Sequence, residues 1–310
     1  MIVAIYLPST EKTQDWCAMM GDLLPDWQVV SMHDDIAVET VDFALVWRPR
    51  TGDLARFTNL KAIVSIGAGI DHVVADAELP RHVPIIRTVG TDLTQRMREY
   101  VALHVLRHHR NTPALAVSQA ASKWAPIVVP PAPKRRVGVM GLGNLGAQAA
   151  KTLSMLGFDT VGWARSGREI EGVTCYSGPE QFDEFLTGTE ILVNLLPLTD
   201  PTRGILNAGL FNRLARGACV INAARGPHMV DQDLLAALAS GQVAQATLDV
   251  FHIEPLPEDH PFWSHPQITV TPHVASLIDA PTGSRIIAKN LRDFAANGTV
   301  DDIADANRGY

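Results

Sequence analysis

The chain has 310 residues, 46 % of them hydrophobic and 19 % charged, enough for one large domain or two ordinary ones, and its apolar runs break off well short of a membrane span. With 33 acidic against 26 basic side chains the formal net charge is −7, which excludes non-specific nucleic-acid binding, since that needs a basic footprint. Any anionic ligand must be caught by a local site.

The opening run "MIVAIYLP" has no basic flank and meets Glu11, Lys12 and Asp15 too soon for a signal peptide. It reads as the first strand of a protein that stays in the cytoplasm. A helical "TQDWCAMMGDLL" follows, then the short apolar runs "WQVVSM", "FALVW" and "KAIVSI", an alternation that predicts a parallel sheet flanked by helices. "REYVALHVLRHHRN" predicts a helix ended by Pro113, and an irregular stretch with Pro126, Pro130, Pro131 and Pro133 comes after it. A second series starts at "RRVGVMG", with strands predicted at 136–140, 158–163, 190–195, 218–223, 244–250 and 267–271. The tail "GSRIIAKNLRDFAANG" reads as one helix stopped at Gly298. The fold class is therefore α/β, with two parallel-sheet units. Cys17, Cys175 and Cys219 are odd in number and lack CxxC spacing, so they read as ordinary thiols outside any metal site.

"VGVMGLGNLG" sets Gly141, Gly143 and Gly146 in G-x-G-x-x-G spacing between a predicted strand and a predicted helix. Glycines allow the tight turn and the close backbone approach, and the helix N-terminus then faces a pyrophosphate. In this loop Gly141, Gly143, Asn144, Leu145 and Gly146 form the candidate dinucleotide site. In such a unit an acid about 20 residues on, at the end of the second strand, takes the ribose 2′-hydroxyl. Here "VGWARSGR" offers Arg165, Ser166 and Arg168 instead. A carboxylate would repel a 2′-phosphate, whereas a guanidinium and a hydroxyl bind it, so NADPH is the preferred cofactor, with NADH possible. Asp159 lies at the wrong end of the strand to replace the missing acid.

Ligands of open α/β sheets bind beyond the carboxyl ends of the strands. Three polar residues stand there: Arg225 after "ACVINAA", Glu254 after "ATLDVFHI" and His273 after "ITVTP". Their chemistry suits hydride reduction of a carbonyl. His273 can protonate the oxygen, Glu254 can orient the ring and favour imidazolium, and Arg225 has the planar fork for a 2-oxo acid.

"GLGNLG", "LLPLTDPTRGIL", "VINAARG", "LDVFHIEPLP", "HPFW" and "TPHVAS", in that order, resemble the D-isomer-specific 2-hydroxyacid dehydrogenase family, most of all its glyoxylate/hydroxypyruvate reductase branch. The resemblance implies two Rossmann-like or flavodoxin-like domains. A discontinuous substrate-binding domain, 1–98 with 283–310, receives an inserted NAD(P)-binding domain, 99–282, and the cleft between them closes on substrate. It implies Arg225 as substrate anchor, Glu254 as partner of the acid/base His273, Asp249 beside the nicotinamide amide and Pro197 in the cofactor site. It implies that "SIGAGIDH" offers the N–H groups of Ala68 and Gly69 to the substrate carboxylate, in keeping with the close approach that Gly67 and Gly69 permit. Trp47 of "VWRPR" would line the pocket, and its packing in the core is the other reading. The implied activity is reduction of glyoxylate and hydroxypyruvate to glycolate and D-glycerate, in a homodimer whose interface uses the helix near 93–110 and the stretch with Trp124.

Two other readings stay open: a dehydrogenase of another D-2-hydroxy acid or of formate, and a dinucleotide-sensing binding protein on the same fold. His104 and His108, spaced i and i+4 with no carboxylate or HExxH pattern, read as an interface or solvated face. His72 beside Asp71 reads as structural. His228, His252, His260 and His265 lack the strand-end position of His273, and Ser154 and Ser276 have no nucleophile motif around them.

Overall fold

The computed structural model describes residues 1–306, so residues 307–310 of the expected tail lie outside the described residues. The chain divides into two compact units, Met1–Thr91 with Ile278–Tyr310, and Asp92–Leu277. The divisions fall at 91/92 and 277/278 instead of 98/99 and 282/283. The helix Thr91–His109 buries Met97, Tyr100, Val101 and Val105 against Val137, Val139 and Ala149, so its amino end goes with the second unit. At the other boundary Asp279 caps the next helix through Thr282 N, which leaves the turn before it as the crossing point.

In the first unit, β1 (Ile2–Tyr6), β2 (Gln28–Ser31), β3 (Phe43–Val46), β4 (Ala62–Ser65) and β5 (Ile85–Arg87) run parallel in the order β5-β4-β3-β1-β2. The short strand Ile303–Ala304 pairs antiparallel on β5. Every residue of β3 and β4 is buried, because both faces of the sheet are covered. Helices Thr10–Leu23 and Ala280–Asn297 pack Trp16, Met20, Ile287 and Leu291 on one face. Leu54, Phe57, Ile70 and Val73 cover the other. That is why these strands read as continuous apolar runs instead of alternating ones. Gly298 ends the tail helix in the left-handed region with φ 72°, as its position predicts.

The second unit holds β6 (Arg136–Met140), β7 (Asp159–Ala164), β8 (Thr174–Ser177), β9 (Ile191–Asn194), β10 (Ala218–Asn222), β11 (Val243–Leu248) and β12 (Ile268–Val270). All pair in parallel, in the order β12-β11-β10-β9-β6-β7-β8. The first strand of the unit is central and the order reverses between β6 and β9, the doubly wound arrangement of dinucleotide-binding folds. β8 is absent from the predicted strands. It is an edge strand with no fully buried residue, so no apolar run announces it.

Pro113 does not end the long helix. Asn111 does, in the left-handed region with φ 52°, and Pro113 sits in the first turn of a second helix, Thr112–Ala120. Asparagine tolerates that backbone, and proline, lacking an N–H, fits the first turn where no intrahelical partner exists.

Candidate active site

The loop from β6 into the helix Asn144–Met155 meets each steric demand of a phosphate turn. Gly141 has φ 94°, and a Cβ there would lie 2.6 Å from the Leu195 carbonyl oxygen. A Cβ on Gly146 would lie 1.7 Å from the Gly141 oxygen, so only glycine lets the helix start against the turn. At Gly143, the N-cap, a Cβ would meet nothing within 4 Å. The outer two glycines are consumed by packing, and the middle one leaves open space before the amino end of a 12-residue helix. β7, the neighbour of β6, ends at Ala164, and the next residues, Arg165, Ser166 and Arg168, are exposed. At the opposite end of these strands Asp159 Oδ2 accepts from Arg136 Nε at 2.9 Å, which removes Asp159 from the ribose side. The donor set therefore fits a dinucleotide with a 2′-phosphate.

Arg225, Glu254 and His273 stand beyond the carboxyl ends of β10, β11 and β12, three adjacent strands. Two of them touch: His273 Nδ1 donates to Glu254 Oε2 at 2.8 Å, while Glu254 Oε1 accepts from Phe251 N at 3.0 Å. The carboxylate is thus fixed by its own loop and in turn fixes the ring, which leaves Nε2 as the nitrogen able to pass a proton outward. His273 has φ 55°, a conformation that a side-chain-bearing residue adopts only when its surroundings enforce it.

Asp249 does the enforcing. Its carboxylate, 1 % exposed, accepts from Thr271 Oγ1 at 2.6 Å, Val274 N at 2.9 Å and Ala275 N at 2.9 Å. Its backbone oxygen accepts from His273 N at 2.9 Å. Tyr100 and Thr271 share a further hydroxyl–hydroxyl bond of 2.7 Å. Burial lifts the Asp249 carboxyl above its ordinary value, and the three donors oppose that shift by favouring the ionised form. Asp249, expected beside the nicotinamide amide, is turned inward onto the backbone of the His273 turn. Its place immediately after β11 is the only sequence signal for it, and that signal does not separate a ligand contact from a buried organiser.

Arg225 follows β10, half-buried, with Nη1 donating to the Ala224 oxygen at 2.7 Å. Its backbone oxygen accepts from Asn222 Nδ2 at 3.1 Å. The next residue must be glycine, since a Cβ on Gly226 would come within 2.0 Å of the Phe251 carbonyl carbon. The turn that presents Arg225 therefore lies directly on the loop that presents Glu254. Pro197, three residues beyond β9, offers its oxygen to Thr202 Oγ1 at 2.8 Å.

In the first unit, the turn after β4 binds the Gly69 oxygen to Ser65 Oγ at 3.0 Å and the Gly67 oxygen to Thr88 N at 3.3 Å. The N–H groups of Ala68 and Gly69 meet no acceptor among the described residues, as an anion-binding turn requires. Trp47, half-buried after β3, packs over Gly67, where a Cβ would lie 2.8 Å from the indole, and its ring centroid is 4.4 Å from that of His72. Gly67 is what gives the indole room. Trp47 also packs against the first unit's core.

His104 and His108 are not a solvated face. Both are buried, and His108 bonds Gln245 Oε1 and Thr247 Oγ1 of β11 at 3.0 Å each. The long helix lays this side on polar residues of the sheet, a partner that helical spacing does not reveal. Among the described residues no cluster of three His, Cys, Asp or Glu side chains is placed to hold a metal ion, and no helix is long and apolar enough to cross a membrane.

Comparison with known proteins agrees with this geometry. Residues 102–275 match the model of the D-isomer specific 2-hydroxyacid dehydrogenase NAD binding domain. A glyoxylate/hydroxypyruvate reductase A of Serratia proteamaculans is 40 % identical over 306 residues, 96 % of this chain and 97 % of that protein. A D-isomer specific 2-hydroxyacid dehydrogenase of Xanthobacter autotrophicus, solved in complex with NADPH and MES, is 41 % identical with a TM-score of 0.92, over 100 % of this chain and 99 % of that one. An NADPH-dependent glyoxylate/hydroxypyruvate reductase of Sinorhizobium meliloti, solved with NADP and sulfate, is 36 % identical with a TM-score of 0.91, over 100 % and 99 % of the two chains. The chain belongs to the D-isomer specific 2-hydroxyacid dehydrogenase family, a family of oxidoreductases.

Proposed function

We propose that this chain reduces small 2-oxo acids, glyoxylate and hydroxypyruvate among them, to 2-hydroxy acids with NADPH. The observation that supports it most is the Glu254–His273 pair, 2.8 Å apart, in a unit whose phosphate turn is followed by Arg165 and Ser166 in place of an acid. Gly141, Gly143, Asn144, Leu145 and Gly146 would hold the pyrophosphate, with Pro197 lining the same site, and Arg165 with Ser166 the 2′-phosphate. When bound, the dinucleotide supplies the hydride for the carbonyl carbon. Arg225 is the second unit's anchor for the substrate carboxylate; in the first unit the N–H groups of Ala68 and Gly69 are the donors suited to a carboxylate, and Trp47 beside them suits a small side chain. Negative charge develops on the carbonyl oxygen as the carbon is reduced, and His273 Nε2 delivers the proton that completes the hydroxyl. Glu254 keeps the resulting neutral ring in orientation, and Asp249 holds the turn on which the ring sits.

The chain acts in the cytoplasm as a homodimer in this reading. Trp124 and Val128 are 97 % and 98 % exposed, and with Leu103 and Val117 they place apolar surface along 103–128, where a second copy would bury it. Initial rates of cofactor oxidation with each acid, using NADPH and NADH, test the proposal. Turnover favouring NADPH supports it, and tight NADPH binding without turnover of either acid refutes it.

A further inference from the structure

Three polar side chains of the second unit have no exposed surface and no part in the reaction above: Asn194 at the end of β9, Asn222 at the end of β10, and His228 three residues beyond Arg225. They form one connected network. Asn194 Oδ1 accepts from Leu196 N at 3.3 Å, so its Nδ2 is the atom that reaches Asn222 Oδ1 and His228 Nδ1, each at 3.0 Å. Asn222 Oδ1 also accepts from Ala224 N at 3.3 Å, and its Nδ2 donates to the Arg225 oxygen. Backbone groups at both ends thus fix which way each amide faces.

That settles the histidine. Its Nδ1 faces an amide donor and must accept, so the ring proton is on Nε2, which donates to the Pro197 oxygen at 3.2 Å. The segment after β9 that holds Leu196 and Pro197 and the turn after β10 that holds Ala224 and Arg225 are therefore joined through these buried side chains, beside the backbone bonds from Ala223 N to the Asn194 oxygen and from Gly204 N to the Pro227 oxygen. A buried network of this kind is stiff when every member is paired and expensive when one is not.

We infer that His228, in its neutral Nε2–H form, is a positioning residue that sets Arg225 and the Pro197 segment in register with one another, through Asn194 and Asn222. The inference rests on the proposed function only in taking Arg225 to face substrate and Pro197 to face cofactor. His228 touches neither; it acts through the two turns.

The test compares the wild-type protein with His228→Leu and His228→Gln. Glutamine has an acceptor and a donor on one carbon, as the imidazole has Nδ1 and Nε2 on Cε1, whereas leucine fills the space and breaks the relay. In His228→Leu, kcat/KM for glyoxylate is expected to fall about tenfold, through higher KM for both acid and NADPH; His228→Gln is expected to restore it to within about threefold. The pH profile set by His273 stays in place in both. Nitrogen NMR of histidine-labelled wild-type protein, with the His228 signal identified by its loss in His228→Gln, is expected to show an unprotonated Nδ1 and a protonated Nε2. This measurement stands even where the leucine variant fails to fold. A protonated Nδ1 overturns the inference, as does a folded His228→Leu protein with kinetic constants within about twofold of wild type. So does a His228→Gln protein that melts normally yet is as impaired as the leucine variant. If the wild-type protein turns over no 2-oxo acid, the functional reading fails on its own. NADPH affinity, lost in His228→Leu and regained in His228→Gln, then still supports the network, and affinity unchanged in both overturns it.

Discussion

Acidification is expected to weaken the second unit through His104 and His108, and the size of the effect follows from where the two rings lie. His104 is buried against Tyr100 with ring centroids 4.3 Å apart, and its Nδ1 has no partner among the described residues. His108 is wedged between the helix and β11 on Gln245 and Thr247. Burial above all, with the neighbouring Arg107 charge, pushes both down from 6.5 to about 4, His108 against the opposing pull of its bond to Gln245; the charge of His108 also acts on His104. The folded value is below the free one, so the unfolded chain takes up these protons first. Their contribution is complete above pH 6.5 and drains away as the pH falls toward 4. At pH 5 linkage gives about 2 kcal/mol for each ring, and on the order of 3 to 4 kcal/mol for the pair once their mutual repulsion is counted only when both are charged. For a cooperative unit of the size of Asp92–Leu277 that is a drop in Tm of about 10 °C.

The assay is thermal unfolding by circular dichroism at pH 7.5 and pH 5.0, at fixed ionic strength, for wild type and for a double variant, His104→Phe with His108→Gln. The variant keeps the ring over Tyr100 and an amide between helix and strand, and neither replacement titrates. Its absolute Tm is not the readout; the difference between the two pH values is. Wild type should lose about 10 °C more than the variant. Equal losses would show that these histidines are not the acid-sensitive element and that their burial is compensated in a way the structure does not show.

Replacing His273 with Ala should lower kcat by about a hundredfold to ten-thousandfold with NADPH affinity nearly unchanged; stopped-flow turnover beside fluorescence titration of NADPH reads both. Arg165→Ala should erase the preference for NADPH over NADH, a change of roughly 1.5 to 3 kcal/mol per charged hydrogen bond, or about tenfold to over a hundredfold in the ratio of the two kcat/KM values. Gly143→Ala should melt like wild type because a Cβ there meets nothing within 4 Å, yet bind NADPH at least about tenfold more weakly since that methyl group fills the space before the helix. Gly146→Ala, with its Cβ 1.7 Å from the Gly141 oxygen, should instead cost stability, visible as a lower Tm before any ligand is added. Asp249→Asn puts an amide donor against a backbone N–H and should lower kcat with little effect on NADPH binding, by about 1 to 3 kcal/mol in kcat/KM.

What could be read from the sequence depended on whether the relevant geometry is local. The phosphate turn is set by residues within six positions of one another, so Gly141, Gly143 and Gly146 declare it, and strand register places Arg165 at the far end of β7. The shared end of the sheet was also legible for Arg225, Glu254 and His273, because a parallel sheet puts every loop of that kind on one side. That Glu254 and His273 touch was implied only by the family resemblance, since 19 positions of separation are bridged by a loop whose path only the fold determines. The polar side chains whose burial the sequence did not reveal share one reason. Hydrophobic periodicity identifies buried faces by their apolar residues and assigns polar ones to solvent. Asp249, His104, His108, Asn194, Asn222 and His228 are all polar and all buried, and all but His104, which lies against Tyr100, are bonded to partners far along the chain. His228 was set aside for lacking a strand-end position, although the end of the neighbouring strand comes to it through Asn194. The family's chemistry was therefore readable at the reacting groups, while the side chains that hold those groups in place became visible only once the strands were side by side.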